Sequence, residues 1–473
     1  MEQLKKVGAI KPKSSKDIRF SRISLGFEKL DRNVFDPEKA YDKVAACGVK
    51  RARIQSGWQR TEQKKGVYDF AWLDSIVDNL CARAIEPWIC LCYGNPLYNE
   101  LAKKTFGAVG CAPITSEEEK AAWIRYVKAV VSRYCDRVRY FEVWNEPDGI
   151  WCWKHGVNAR ELGEFTLVTA RAVKEVAPTA YTVGGVVCER ELWFLNTAFK
   201  TGMGQYLDFI SFHEYTHDER LVFERVASLS ALSKVYNANI GIIQGESGSQ
   251  SKSGGHGAVR TGAWTEEIQA KQLARHTMAD LLAGVHFTSY FSCMDMIEAL
   301  NGTVGDTASI LDYGYFGILG ADFDENGRST GEYYKKPSYY VLQNICSLFS
   351  EEWELCTQPV LVHGGFSERK FDTTLRGYEL TSGCFEREGG RAFVYWYPSN
   401  IMHTSYQSAI NIEVYNPYGE LHLIDLMDGT IYELPEKMIE DKGDGVVILH
   451  ELPVKDTPLV LMLGNFIVEG DRA

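Results

Sequence analysis

The stretch Arg139-Tyr-Phe-Glu-Val-Trp-Asn-Glu-Pro-Asp-Gly149 decides how this chain is read. Tyr140, Phe141, Val143 and Trp144 are apolar and aromatic, which is the chemistry of a buried strand. Asn145-Glu146-Pro147-Asp148-Gly149 then ends the strand and opens a loop. A carboxylate, Glu146, therefore stands where a buried strand emerges, and a polar group there is costly to bury without partners. Taken alone, it would be a strand-end glutamate solvated in a turn. About 100 residues later, Asn239-Ile-Gly-Ile-Ile-Gln-Gly-Glu-Ser247 repeats the design. Ile240, Ile242 and Ile243 form a β-branched run, and Glu246 follows at its end, before a Gly/Ser-rich loop. Two strand-end glutamates suit a paired-carboxylate site.

The chain between and around them alternates. Strands are predicted at Arg22–Phe27, Val49–Ile54, Glu86–Tyr93, at the Trp-Asn-Glu stretch, at Tyr181–Cys188 and Asp208–Tyr215, at the Glu246 stretch, and at His286–Met294. Helices are predicted at Pro37–Cys47, with Asp36 as cap and Gly48 as stop, and at Phe70–Arg83, with Leu73, Ile76, Val77 and Leu80 on one face. Others are predicted at Ser116–Tyr134, with Ser116 and Glu119 as a capping box, and at Ala159–Val176, Glu219–Tyr236, Glu266–Ala283 and Lys336–Phe349. A long loop is expected over about 295–334. Eight strands interleaved with helices over residues 18–350 predict a (β/α)₈ barrel, with an open doubly wound sheet as the runner-up. No glycine-rich phosphate loop opens a helix, which counts against the open sheet. In a barrel the strands are parallel, so Glu146 on strand four and Glu246 on strand seven share one mouth.

After Phe349 the texture changes to strand-like runs, such as Arg391–Tyr397 and Ile410–Tyr415, separated by Gly, Asn and Asp turns. Residues 351–473 are expected to form an antiparallel β-sandwich. Residues 1–17 are polar and lysine-rich, and are assigned either to no element or to an added strand of that sandwich.

Composition narrows the function. The net charge of −12 argues against nucleic acid as the main partner. Eleven Trp and 25 Tyr are compatible with a carbohydrate cleft, where apolar ring faces stack on aromatic ones. The twelve cysteines are scattered, with no CxxC pair and no metal-ligand spacing. Free thiols in this number suggest a reducing compartment, hence a cytoplasmic location. The start MEQLKKVGAIKPKSS has no apolar core of a signal peptide, and no run has the ~18 apolar residues of a membrane span. No metal and no cofactor is expected, and the sequence leaves the oligomeric state open.

At this point the residues carry a family likeness. Trp144-Asn145-Glu146-Pro147 resembles the acid/base motif of glycoside hydrolase clan A. Glu246 at the end of strand seven matches that clan's nucleophile position. His213-Glu214-Tyr215 on strand six looks like its His-x-Tyr, and Arg53 is similar to its strand-two arginine. The Asn-Glu-Pro-Asp form, the helix start Lys336-Pro337-Ser338-Tyr339-Tyr340 and the trailing sandwich look most like glycoside hydrolase family 39, which holds β-xylosidases and α-L-iduronidases. Two departures stand out. Strand eight lacks the Trp that clan members often place under the sugar, and the Ser247-Gly-Ser-Gln250 segment matches no subgroup.

The resemblance implies a retaining glycoside hydrolase with two catalytic carboxyls, Glu146 as acid/base and Glu246 as nucleophile. Arg53 and Tyr215 would keep Glu246 ionised. Asn145 would meet a sugar hydroxyl, and Trp58, Asn95, Trp151 and His213 complete the candidate substrate-binding set. The expected partner is a carbohydrate. Two other readings stay open: a non-catalytic carbohydrate-binding barrel, and a metal-dependent hydrolase built on His213, His217 and Asp218.

Overall fold

The computed structural model describes residues 4–363, 380–403 and 405–464. Eight parallel strands close into a barrel. They are β1 (Ile23–Gly26), β2 (Arg51–Gln55), β3 (Glu86–Leu91), β4 (Tyr140–Val143), β5 (Tyr181–Val187), β6 (Phe209–His213), β7 (Gly241–Ser247) and β8 (Thr288–Tyr290). Closure rests on the pairing of β1 with β8, Ile23 opposite Thr288 and Leu25 opposite Tyr290, which excludes the open sheet. Trp88, Tyr140, Val183, Phe209, Ile243 and Phe287 pack together as a buried apolar layer. Large inward side chains from successive strands fill such a barrel, so it is a packed core rather than a pore.

The helices form because their apolar faces lie against the strands and their ends are capped. The first predicted helix splits into a 3₁₀ turn, Pro37–Lys39, and α1, Tyr41–Cys47. Asp36 accepts a hydrogen bond from the Glu38 amide, and Gly48 closes α1 at φ 89°, a conformation glycine adopts without a Cβ penalty. The helix α2, Ala71–Ala82, buries Leu73, Ile76, Val77 and Leu80 as expected. In α3, Glu117–Tyr134, the Ser116 hydroxyl accepts from the Glu119 amide. The return bond of a capping box goes instead from the Thr115 amide to Glu119, 2.9 Å, so the box is displaced by one residue. The set continues with α4 (Ala159–Val176), α5 (Leu192–Phe199), α6 (Leu221–Tyr236), α7 (Glu266–Ala283) and α8 (Pro337–Leu348).

Three readings need correction. α5 went unread because eight mostly apolar residues show too little period to separate helix from strand. The eighth strand is three residues, not nine. Beyond it the chain turns away, and the expected loop over 295–334 holds two antiparallel pairs, Met296–Ile297 with Tyr313–Gly314 and Leu319–Phe323 with Ser329–Lys335.

The remaining strands make two antiparallel sheets. One has seven strands, in the order Lys5–Ala9, Thr430–Glu433, Leu421–Asp425, Leu459–Gly464, Gly390–Trp396, Thr381–Arg387, Glu354–Cys356. The other has four, Val360–His363, Gln407–Tyr415, Val446–Lys455 and Ile439–Gly443. A separate apolar cluster, including Ile412, Val414, Leu423, Leu449 and Leu461, lies between the two sheets. The sheets meet the barrel through one buried ion pair and through a hydrogen bond onto another. Arg275 of α7 makes two bonds to Glu219, 3.0 and 2.8 Å, and the Trp396 indole donates to the same carboxylate at 2.8 Å. Lys271 pairs with Asp456 at 2.6 Å. No helix among the described residues is long and apolar enough to cross a membrane.

Candidate active site

The mouth at the C-terminal ends of the strands brings most of the sequence candidates together. β4 ends at Val143. The next residues leave it through two left-handed backbone positions, Trp144 at φ 69° and Glu146 at φ 43°. Non-glycine residues hold such angles only when the surroundings over-determine them. Here the Trp144 amide bonds to Leu91 O and the Glu146 amide to Val186 O, each at 3.1 Å. The Trp144 ring is fully buried against Trp123, Trp153, Phe165 and Tyr93. The twisted exit therefore sets Glu146 into the mouth. Its carboxylate accepts from the Trp151 indole and stands 2.9 Å from His213 Nδ1.

Glu246 sits within β7. Gly245 before it is required by space: a Cβ there would lie 2.2 Å from Ser211 Oγ and 3.0 Å from His213 Nε2. Glu246 accepts from the Arg53 guanidinium and, at 2.7 Å, from the Tyr215 hydroxyl. His213 Nδ1 lies 3.6 Å from the oxygen that accepts from Tyr215. Burial alone would raise the Glu246 pKa, but His213, Arg53 and the Tyr215 hydrogen bond together bring it below the ordinary glutamate value. Burial drives the Tyr215 hydroxyl well above its usual range, with Glu246 and Glu146 adding to the shift, so it stays a donor. Burial opposes charge on His213, yet Glu246 and Glu146 outweigh it and raise its pKa. One oxygen of Glu146, one oxygen of Glu246 and a ring nitrogen of His213 all lie within 4.8 Å of one another.

Arg53 is the hub below this layer. It is fully buried, donating to Glu142 at 2.7 Å, to Asn145 Oδ1 at 2.8 Å and to Glu28 at 3.3 Å, besides Glu246. Burial opposes its charge, but Glu142, Glu246 and Glu28 hold it protonated. Removing one member of such a cluster would leave an uncompensated buried charge. Glu28, Glu142, and the buried pair Lys29–Glu298, 3.1 Å apart, were missed in the sequence. Their only signal was a charge in an otherwise apolar strand or strand end.

Glu28 carries a testable consequence. Burial, together with the Glu246 charge and against the pull of Arg53, pushes its pKa up to about 8. A carboxyl raised in the folded state contributes stability that is fully present below its unfolded value of 4.5 and is lost as pH rises through about 8. Glu28→Gln should therefore flatten the fall in thermal midpoint between about pH 5 and about pH 8. Midpoints of variant and wild type that run parallel across that window would remove Glu28 as the source.

Trp58 and Asn95 lie apart from the carboxylates. Trp58 is fully buried, stacked on Tyr98 and Tyr126, and its indole donates to Glu62. Asn95 donates to Glu62 O at 2.9 Å, tying the loop after β3 to the loop after β2. Both border a cavity of about 550 Å³. The metal-site alternative loses its geometry. His217 faces Thr261 O, and Asp218 is engaged by Arg220. Glu146, His213 and Glu246 are spaced to hold a cation, but Arg53, Tyr215 and Trp151 already direct positive charge and donors at those carboxylates.

The chain is thus a closed parallel barrel with two mutually close glutamates at the C-terminal ends of its strands. Residues 29–235 match the model of glycosyl hydrolases family 39. A β-xylosidase of Geobacillus stearothermophilus is 32% identical over 165 residues, and that alignment spans 33% of this chain and 32% of the relative. Among solved structures, a monomeric β-xylosidase from Caulobacter crescentus CB15 superposes with a TM-score of 0.60 at 16% identity, covering 97% of this chain and 98% of that one. The GH39 enzyme from Xanthomonas axonopodis pv. citri gives 0.59 at 17% identity, covering 97% and 96%. At those identities the two structures speak to the fold. The family 39 match covers less than half of this chain, and the chain spans about a third of the length of the β-xylosidase it matches.

Proposed function

We propose that the chain is a retaining glycoside hydrolase in which Glu146 is the acid/base and Glu246 the nucleophile. The observation that carries this is the mutual approach of the two carboxylates within 4.8 Å. Retaining enzymes hold their carboxyls ~5–5.5 Å apart, whereas inverting enzymes leave ~6.5–9.5 Å for a water. Glu246, kept ionised by Arg53, Tyr215 and His213, attacks the anomeric carbon from below. Glu146 gives its proton to the leaving oxygen, and the C–O bond breaks as the glycosyl-enzyme ester forms. Glu146, now a carboxylate, takes a proton from water, which attacks the same carbon and releases Glu246. Trp151 and His213 fix the direction of the Glu146 carboxyl throughout.

The relatives named β-xylosidases make β-xylosides the first substrates to test. Aryl β-xyloside, galactoside, glucoside and uronides should be offered to the purified chain, with the first-formed anomer followed by NMR. A β-anomer from a β-glycoside is expected. An α-anomer as first product would end the retaining mechanism, and no turnover on any member would favour a non-catalytic sugar-binding barrel.

A further inference from the structure

The cavity of about 550 Å³ lies beside the carboxylates rather than over them, and falls within the ~300–1,000 Å³ of ligand pockets. It is bordered by the loops after β1, β2 and β3 and by Val304, with Arg32, Gln59, Tyr93, Leu97 and Phe106 on its walls. Most of its polar side chains are engaged within the protein, Arg60 with Leu30 O, Glu62 with the Trp58 indole and the Tyr98 hydroxyl, and Asn95 with Glu62 O, but two polar atoms are not. The Arg32 side chain is 3% exposed; Nη2 donates to Gln55 at 2.6 Å and Nε to Asp31 at 3.2 Å, but Nη1 is buried without a partner. Gln59 Oε1 is likewise buried and unpaired. A donor on one wall and an acceptor on another, each lacking a partner, would otherwise carry a desolvation cost. Both suit hydroxyls, and the aromatic walls suit the apolar face of a sugar ring.

The cavity is one layer from the chemistry. Gln55 accepts from Arg32 and from the Lys29 amide, and Lys29 follows Glu28, which meets Arg53. On the other side, Tyr93 OH and Asn145 Nδ2 both contact Cys152 Sγ, at 3.7 and 3.4 Å. Direction follows from the roles of the carboxyls. The leaving group departs on the side of Glu146, where Trp151 stands. A sugar whose anomeric carbon meets Glu246 extends away from Glu146, and Arg53, which bonds Glu246, reaches the loop after β1 through Glu28.

We propose that this cavity is a second sugar-binding subsite on the glycone side, so that the preferred substrate carries two sugar units before the scissile bond and the first product is a disaccharide. The inference rests on the hydrolase reading and goes beyond it, because cleavage at the two carboxylates needs only the one sugar that meets them.

The test pairs turnover with binding. Wild type should cleave an aryl β-xylobioside with kcat/KM about tenfold or more above the aryl β-xyloside, releasing intact xylobiose, as one or two hydrogen bonds to a charged group predict. Arg32→Ala, and separately Val304→Trp, which fills the cavity from its exposed rim, should lower that ratio by a similar factor. Equal kcat/KM on the two substrates, xylose as first product, or equal losses on both substrates in Arg32→Ala would overturn the subsite. Calorimetric titration of xylobiose into the Glu246→Gln chain, with and without Arg32→Ala, needs no turnover. Affinity weakened about tenfold by the Arg32 change is expected, and unchanged affinity would overturn the proposal. Should wild type cleave no aryl glycoside while the Arg32-dependent binding holds, the hydrolase reading falls and the subsite stands.

Discussion

Glu246→Ala is expected to abolish turnover on every glycoside, activated aryl substrates included. The loss should exceed the ~10²–10⁴-fold that a positioned general acid contributes, because no other group can form the covalent ester. Glu246 is aimed by β7 and held between Arg53 and Tyr215, and the Gly245 position before it admits no Cβ. A 2-deoxy-2-fluoro aryl glycoside should inactivate the wild type, since fluorine slows breakdown of the intermediate, and peptide mapping should place the label on Glu246. A label on Glu28, Glu142 or Glu298, the other buried carboxylates nearby, would reassign the nucleophile. Undiminished aryl hydrolysis by Glu246→Ala would do the same. The variant removes a charge from a buried cluster, so its fold should be checked by thermal melting. Arg53 keeps Glu142 as counter-charge and the Glu28 carboxyl as a hydrogen-bond acceptor, and the barrel is expected to persist.

The parts of this site that could be read from the sequence are those set by local chemistry. A strand-end Asn-Glu-Pro and a strand-end Gly-Glu announce themselves because apolar runs stop abruptly at a charge. The eight-fold alternation then places both on one rim. What could not be read depends on closure of the barrel. Glu28 follows β1, Arg53 lies on β2 and Glu142 on β4, and only the barrel makes them one cluster. Glu142 sits in mid-strand, where alternation alone cannot say whether it points to solvent or into the barrel. The left-handed turns at Trp144 and Glu146 were equally hidden, since neither position holds the glycine that usually marks such angles. The strands within 295–334 are two to seven residues long and pair across loops, so their apolar period is too short to register. Directly after strand eight stands Phe291, not Trp. That ring packs on Phe316 and Tyr215, and Lys29 stands 5.1 Å above it, so an aromatic wall persists beside Glu246 with a different ring.

Glu146→Ala should behave differently from the nucleophile variant, and the difference is diagnostic. On an alkyl or oligosaccharide glycoside, whose leaving oxygen needs a proton, the loss should be about 10²–10⁴-fold. On an aryl glycoside with a strongly acidic phenol the first step needs little acid, so the glycosyl-enzyme should form at close to the normal rate and release phenol in a burst. Turnover would then stall, because water lacks its base. Azide needs none. It should enter the space vacated by the carboxylate, attack the ester on Glu246, restore turnover and give the β-glycosyl azide from a β-glycoside. The geometry favours this reading because the Glu146 carboxylate is held by side chains alone, the Trp151 indole and His213 Nδ1, while the backbone that aims it is fixed independently by Leu91 and Val186. Truncation therefore removes the acid without releasing the loop. Equal losses on alkyl and aryl substrates, or rescue that yields no azide adduct, would show that Glu146 serves the site as a structural anchor and that the proton comes from elsewhere.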